Sequence, residues 1–366
     1  MEEKKKIGFV IGKLSSGGAE RVISTLANLL IEKYHVTIIT ITNEIPFYPL
    51  DARINVISCF DKNAIRGSRT IWDAIVLNIK IVRAVYLKIR KLKIQLTIGF
   101  ITQTNIYALV ASRLNGNPCI ISERTNPKFT SIPRLWRVLK KLCYPLANHL
   151  VVQTHFVKDY YSATLNMDKI SVLPNPLSPN FQYDSGTGNR ENIILNVGRL
   201  HQVKNQAMLL NVFHEINTKG WKLQILGEGN ERENLEALIL DKNIRNVELL
   251  GSKKNLEDYY KKAKIFVFTS NYEGFPNALL EAMRFGLAPI STNCQSGPSE
   301  LIVDQKNGYL TPVKDLEALK NKLAFLVDNE DLIEDFGRKA KLSTKKFEAQ
   351  EVVRLWENLI LQYLPN

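Results

Sequence analysis

The chain has 366 residues, 45% hydrophobic and 23% charged, enough to bury one large core or two ordinary ones. Its four cysteines (Cys59, Cys119, Cys143, Cys294) are scattered, with no Cys-x-x-Cys pair and no histidine cluster beside them, which argues against a structural metal and for a reducing compartment. The formal net charge of +13 sits in one half: residues 1–175 carry 25 Lys+Arg against 11 Asp+Glu, and residues 176–366 carry 24 against 25. That asymmetry suggests two domains, the first meeting an anionic partner, whether nucleic acid, a membrane surface or a phosphorylated ligand. No run of about 18 apolar residues spans a membrane, and the first apolar run is too short for a signal peptide. The expected setting is the cytoplasm or the cytoplasmic face of a membrane.

In chain order, Lys6–Ile11 is a predicted strand, followed by a turn holding Gly17 and Gly18 and a periodic helix over 22–30. Strand, Gly-rich turn and helix make a nucleotide-binding βαβ start. The turn lacks both Gly-x-Gly-x-x-Gly and the P-loop ending, so dinucleotide and ATP readings are weak. A Gly-Gly pair lets backbone amides approach a phosphate, or it is a tight turn that merely packs. Strands follow over 36–42 and 54–58. Residues 71–93 form a long helix with Ile75, Ile79, Val82, Tyr86 and Ile89 expected toward the core. Its basic stripe, Lys80, Arg83, Arg90 and Lys91, is either a solvated face or a track for a diphosphate or acidic headgroups. Strands over 96–100 and 118–122 flank a helix over 106–114, and the second opens into Glu123-Arg124-Thr125-Asn126-Pro127, where parallel sheets bind ligands. Residues 132–144 combine Arg134, Arg137, Lys140 and Lys141 with Leu135, Trp136, Leu139 and Leu142, a membrane-surface helix or an ordinary packed one. The segment 149–154 is expected as the last strand of this half, and 176–192 as the linker.

The alternation then starts afresh. A strand over 193–198 leads to Arg199 and Lys204, a helix spans 207–217, and a strand over 222–226 ends in Gly227-Glu228-Gly229. Leu249-Leu250-Gly251 closes a further strand. Ala263–Thr269 is an aromatic-rich strand before Glu273-Gly274-Phe275-Pro276-Asn277-Ala278-Leu279-Leu280-Glu281-Ala282, where Pro276 and strong helix formers set a helix start. Two carboxylates with seven residues between them, beside free amides and the positive end of a helix dipole, make an anion and sugar site. Alternatively, Glu273 only complements the dipole and Glu281 lies on a solvated face. Helices over 316–327, 331–346 and 351–363 close the chain, the last (within 347–366) expected to pack back on the first domain.

These pieces predict an α/β chain of two doubly wound, Rossmann-like domains, 1–175 and 193–346, facing each other across a cleft. At this point the sequence resembles the family-4 retaining glycosyltransferases of the GT-B fold. Ser15-Ser16-Gly17-Gly18-Ala19-Glu20-Arg21, Gly198-Arg199-Leu200 with Lys204, Gly227-Glu228-Gly229, the Glu273–Glu281 stretch and Ser296-Gly297-Pro298-Ser299-Glu300 come in the family's order over nearly the whole chain. Ser122-Glu123-Arg124-Thr125-Asn126-Pro127 resembles a bacterial subgroup acting on undecaprenyl-diphosphate-linked saccharides in glycan and capsule synthesis.

The resemblance implies a UDP-sugar donor, a lipid-diphosphate saccharide acceptor held by the first domain, and peripheral attachment to the cytoplasmic face of the inner membrane, with no nucleic acid partner. It implies that Arg199 and Lys204 neutralise the donor diphosphate and Glu273 holds donor-sugar hydroxyls. Gly274, Phe275, Pro276 and Asn277 would offer amides, Glu281 would take the ribose, and Leu250 would lie near the base. Gly17, Gly18, Gly198, Gly227 and Leu280 complete the donor-binding set. No Asp-x-Asp is present, so no metal and no cofactor beyond the donor is expected. Many relatives have a histidine where this chain has Ser122-Glu123-Arg124, which puts Glu123 or Arg124 near the sugar. Lys80, Arg83 and Arg90 would hold the acceptor diphosphate. A UDP-sugar 2-epimerase of the same architecture and a nucleic-acid-binding protein are the alternatives. The first would need acid/base groups near C2, and the second lacks an aromatic-interleaved basic motif.

Overall fold

The computed structural model describes residues 3–62, 64, 70–179, 181, 183, 190–218 and 220–365. The elements in chain order are β1 (Lys6–Ile11), α1 (Gly18–Leu30), β2 (His35–Thr42), β3 (Asn55–Phe60), α2 (Ile71–Leu92), β4 (Leu96–Phe100), α3 (Thr102–Asn115), β5 (Cys119–Ser122), α4 (Arg134–Cys143), β6 (His149–Val152), α5 (His155–Ser162) and β7 (Ile170–Val172). They continue as β8 (Glu191–Val197), α6 (Gln206–Glu215), β9 (Lys222–Leu226), α7 (Arg232–Asp241), β10 (Val247–Gly251), α8 (Glu257–Lys262), β11 (Ala263–Phe268), α9 (Asn277–Arg284), β12 (Ala288–Thr292), α10 (Pro298–Leu301), β13 (Tyr309–Thr311), α11 (Leu316–Val327), α12 (Glu330–Ser343) and α13 (Ala349–Tyr363). They form two compact units, Met1–Ser178 with Ala349–Asn366, and Pro179–Glu348.

The first unit is a parallel sheet in the order β3-β2-β1-β4-β5-β6-β7. Helices cover both faces, so the central strands β1 and β4 are mostly apolar and buried, and successive residues serve opposite cores. Ile7, Phe9 and Ile11 pack with α1 and α13, whereas Val10 packs with α2 and α3. Helix α13 contributes Val352, Val353, Trp356, Leu359 and Ile360 to the first of these cores. Trp356 stacks on Phe100 with ring centres 5.9 Å apart. His149 holds the end of α13, its Nδ1 being 3.1 Å from the Tyr363 hydroxyl and its Nε2 2.8 Å from Ser171 Oγ.

The second unit repeats the plan with the sheet order β10-β9-β8-β11-β12-β13, also parallel. In both sheets the order reverses between the first strand and the fourth (β1/β4, β8/β11). Loops at that crossover leave the carboxyl ends of neighbouring strands in opposite directions, which opens the crevice where such sheets bind ligands.

Three expectations need correction. The core side of α2 is Ile81, Val85 and Ile89, while Ile75 and Ile79 are exposed and Val82 and Tyr86 are half-buried. The helix carries apolar residues on almost every side, so periodicity alone does not choose its phase. Strand β6 is not the last of its sheet. β7 follows, three residues long and too short to alternate visibly. The stretch expected to open the linker is partly interior: Leu177 and Ser178 are buried. Within the proposed 176–192 linker, residues 180, 182 and 184–189 lie outside the described residues.

Candidate active site

In the second unit, three loops at the carboxyl ends of β8, β9 and β11 meet. Gly198 N–H donates to Leu226 O at 2.9 Å, Gly227 N–H to Gly251 O at 3.0 Å, and Leu200 N–H to Glu228 O at 3.1 Å. Gly227 has φ +144°, and a Cβ there would stand 1.9 Å from Gly198 O. Only glycine fits, because the two turns touch backbone to backbone. The β8–α6 loop is also stitched to the β11–α9 loop, with Asn271 N–H donating to Val203 O at 2.7 Å and Thr269 Oγ1 to Lys204 O at 2.8 Å. Lys204 enters α6 through Asn205, which takes a left-handed conformation with φ +49°.

The outcome is a short ion pair between Lys204 Nζ and Glu273 Oε1, with the ammonium 5.0 Å from the centre of the Phe268 ring. Glu273 is 11% exposed and Lys204 24%, so both remain within reach of a ligand. Arg199 is exposed on the neighbouring turn and makes no ion pair among the described residues. The sequence spacing therefore brings Arg199, Lys204 and Glu273 to one crossover. Ser296 Oγ donates to Gly274 O at 3.0 Å, fixing the loop before α9. Phe275 is 7% exposed, with its ring 6.1 Å from that of Phe347. Pro276 is the cap residue of α9 and Asn277 its first residue. Leu280 is fully buried in the helix. Glu281 is 4% exposed and accepts a hydrogen bond from Tyr260 OH at 3.1 Å, so it is no solvated face. Leu250 is half-buried at the end of β10. Burial, then the nearby Glu273 carboxylate, pushes the Cys294 thiol up to about 12, which removes it as a nucleophile at neutral pH.

In the first unit, Gly17 caps α1, and the space over it is taken by Glu20, whose carboxylate would lie 2.1 Å from a Cβ at Gly17. Ser15 Oγ holds that carboxylate at 3.2 Å. The chain's own anion thus occupies the helix N-terminus.

Glu123, expected near the sugar, is 1% exposed, with its carboxylate held from within the unit. Its Oε2 accepts from Lys140 Nζ at 2.8 Å, Tyr144 OH at 2.9 Å, Thr102 Oγ1 at 3.0 Å and Tyr161 OH at 3.3 Å, and its Oε1 from Thr125 Oγ1 at 3.0 Å. Burial works to raise this carboxyl, but the Lys140 ammonium and the hydrogen bonds together hold it below its ordinary range. Burial, and then the Glu123 charge, push the Tyr144 and Tyr161 phenols up. Arg124 is likewise interior, between Phe100 (4.7 Å) and Trp356 (5.7 Å), with Nη1 donating to Asn175 Oδ1 at 2.9 Å. Burial pushes its guanidinium down to about 9, against the pull of Glu123.

Lys80, Arg83 and Arg90 are exposed on α2, and Arg90 Nη1 donates to Tyr86 OH at 3.1 Å. At about 100° per residue they share a face with Trp72, Val76, Ile79 and Leu87, which are 76%, 47%, 62% and 49% exposed. Helix α4 also carries an exposed apolar stripe, Leu135, Val138 and Leu142, beside Arg134, Arg137 and Lys141. No helix of the described residues is long and apolar enough to cross a membrane. Sequence reasoning missed Phe268 under Lys204, Tyr260 on Glu281, and Lys140 on Glu123. Each partner is distant in sequence, and no local pattern marks it.

The family model "Glycosyltransferase Family 4" matches residues 16–181, and "Glycosyl transferases group 1" matches residues 179–343. The chain is 31% identical, over 98% of both chains, to the Campylobacter jejuni "GalNAc-alpha-(1->4)-GalNAc-alpha-(1->3)-diNAcBac-PP-undecaprenol alpha-1,4-N-acetyl-D-galactosaminyltransferase". It is 29% identical, over 96% of this chain and 98% of the relative, to that organism's "N-acetylgalactosamine-N,N'-diacetylbacillosaminyl-diphospho-undecaprenol 4-alpha-N-acetylgalactosaminyltransferase". The crystal structure of Anabaena HepE in complex with UDP shares the fold, with a TM-score of 0.78 at 15% identity over 98% of this chain and all of that one. With family models on both halves, 31% identity to a relative over 98% of both chains, and two parallel sheets in a fold shared with a solved glycosyltransferase-like structure, the chain belongs to glycosyltransferase family 4 and has the GT-B fold.

Proposed function

We propose that this glycosyltransferase moves a hexose or N-acetylhexosamine from a UDP-sugar to a polyprenyl-diphosphate-linked saccharide, with retention of anomeric configuration and without a metal ion. The observation that carries the reading is the Lys204–Glu273 pair at the sheet crossover. The acceptor class is supported by the names of the two Campylobacter relatives, and the nucleotide by the UDP complex of the Anabaena protein.

In this reading Lys204 exchanges Glu273 for the donor diphosphate, joined by the Arg199 fork, which suits two phosphate oxygens. Glu273, released, accepts hydrogen bonds from donor-sugar hydroxyls, and the amides of 274–277 at the start of α9 face the same charge. Glu281, steadied by Tyr260, accepts from the ribose. The bond between the sugar's anomeric carbon and the phosphate oxygen breaks as the acceptor hydroxyl attacks from the same face. Its proton passes to the leaving diphosphate oxygen, so no strong protein base is needed. The developing charge falls on oxygens that fixed cations and amides already face. The exposed faces of α2 and α4 suit the plane of an anionic membrane on the cytoplasmic side, with Lys80, Arg83 and Arg90 on the acceptor diphosphate.

Calorimetric titration of UDP with EDTA present tests the donor half. Micromolar binding by the wild type, lost in Lys204→Ala without unfolding, is expected. Silence toward UDP, GDP and ADP alike would remove the donor assignment.

A further inference from the structure

A groove of about 360 Å³ runs between α2, α3 and α4 of the first unit, walled by Ile79, Val82, Val110, Leu114, Trp136 and Leu139. That volume lies within the range of about 300–1,000 Å³ typical of small-molecule pockets. Asn78 and Tyr107 in its lining are satisfied within the unit: Tyr107 OH donates to Asn78 Oδ1, and Asn78 Nδ2 donates to Ala74 O at 2.6 Å. Burial pushes the Tyr107 phenol up to about 12, so it stays neutral. Trp136 meets Tyr107 edge-on at 5.5 Å, giving the groove a rigid aromatic floor.

Among the described residues no acidic side chain lines this groove, and the only charged one is Arg83, which is exposed and lies one turn from Lys80. Ile79 and Leu114 are 62% and 66% exposed at the groove's edges, so apolar surface continues from the groove through Ile79 to Val76 and Trp72 on the open face of α2, beside Lys80 and Arg83. A hydrocarbon with an anionic head therefore finds cations at the groove and an apolar path leading on from it. Resting on the acceptor class proposed above, we propose that this groove binds the isoprenoid units next to the diphosphate of the polyprenyl acceptor. The enzyme then reads the lipid as well as the sugar: Arg83 and Lys80 meet the diphosphate, and the groove orders the first part of the chain. Charge complementarity and the apolar lining choose this one occupant, in which head and tail belong to the same molecule.

The full-length protein is titrated with inorganic diphosphate and with dimethylallyl, geranyl and farnesyl diphosphate, each below its aggregation threshold. Affinity should climb along the series, by about tenfold or more overall. Val110→Trp, which fills the groove, should erase the climb while inorganic diphosphate and UDP still bind. Ile79→Gln, at an exposed position that does not threaten folding, should shrink it. Equal affinity for inorganic and farnesyl diphosphate, or an undiminished climb in both variants, would overturn the assignment. Loss of phosphatidylglycerol vesicle binding in Val110→Trp as complete as in a Leu135→Ser/Val138→Ser/Leu142→Ser variant would also overturn it, by marking the groove as part of a general membrane contact. Because binding is read without turnover, failure of the groove and failure of the proposed transfer are separate results.

Discussion

Lys140→Met isolates the interior ion pair of the first unit. The ammonium is 2.8 Å from Glu123 Oε2, and the two side chains are 14% and 0% exposed. Removing one partner leaves a carboxylate with no access to water and, among the described residues, only neutral donors: the hydroxyls of Thr102, Thr125, Tyr144 and Tyr161 and the backbone N–H of Arg124. Breaking such a pair costs about 3–5 kcal/mol, which for a unit of about 200 residues lowers Tm by roughly 6–20 °C. The sign with pH is fixed by the direction of the shift. In the wild type the folded Glu123 titrates below its unfolded value, so its stabilisation is complete above the ordinary carboxylate range and lost as pH falls through the folded value. Without Lys140, burial lifts the carboxyl above the unfolded value, the native state takes up a proton, and the deficit closes on acidification. Urea unfolding in a Trp221→Phe background leaves indoles only in the first unit, which makes the assay specific to it. Adding Glu123→Gln should recover at least half the loss, because exchanging both partners is far less costly than stranding one. A cost under about 1 kcal/mol at pH 7.5, in the range of a surface pair, or a deficit unchanged by acid, would refute the reasoning.

Other perturbations read different parts of the molecule. Lys80→Glu with Arg83→Glu should raise the KM for the lipid acceptor roughly tenfold or more and leave UDP affinity alone; weakened UDP binding would place the stripe with the donor or the fold. Gly227→Ala forces a Cβ against Gly198 O at a positive φ and should destabilise the second unit by about 3 kcal/mol, seen as an earlier Trp221 transition in urea. His149 is held neutral, burial first and Lys158 second driving its pKa down to about 4. Its folded value lies below the unfolded one, so stability should fall by up to about 3 kcal/mol as pH drops from 6.5 to 4. His149→Gln should flatten that limb of a Tm profile, and an unchanged limb would assign it to the carboxylates.

The sequence made the architecture legible because both halves alternate apolar runs with helical periods, and a parallel sheet covered on both faces writes its strands as unbroken Val/Ile/Leu runs. Arg199, Lys204 and Glu273 could be placed together because each follows a strand of the second unit, and loops at those ends converge. What stayed hidden depends on side-chain partners across the fold. Glu123 reads as a polar residue at a strand's carboxyl end, but Lys140 from α4 and Tyr161 from α5 close over it. Periodicity misplaces the phase of α2 because its exposed side is nearly as apolar as its buried one. That same apolarity marks the groove and the face that the lipid reading uses. Three-residue strands such as β7 and β13 carry too few positions to show a period.

The most direct measurement is sugar transfer itself. Wild type, Lys204→Ala and Glu273→Gln are incubated with UDP-N-acetylgalactosamine, UDP-N-acetylglucosamine or UDP-galactose and an undecaprenyl-diphosphate-linked saccharide, with EDTA present. Product mass is read by mass spectrometry and the new linkage by NMR. The account predicts added sugar in α linkage from at least one donor, and a loss of about 100-fold or more when Lys204 is removed. No transfer from any UDP-sugar, a β product, or full activity in Lys204→Ala would contradict it.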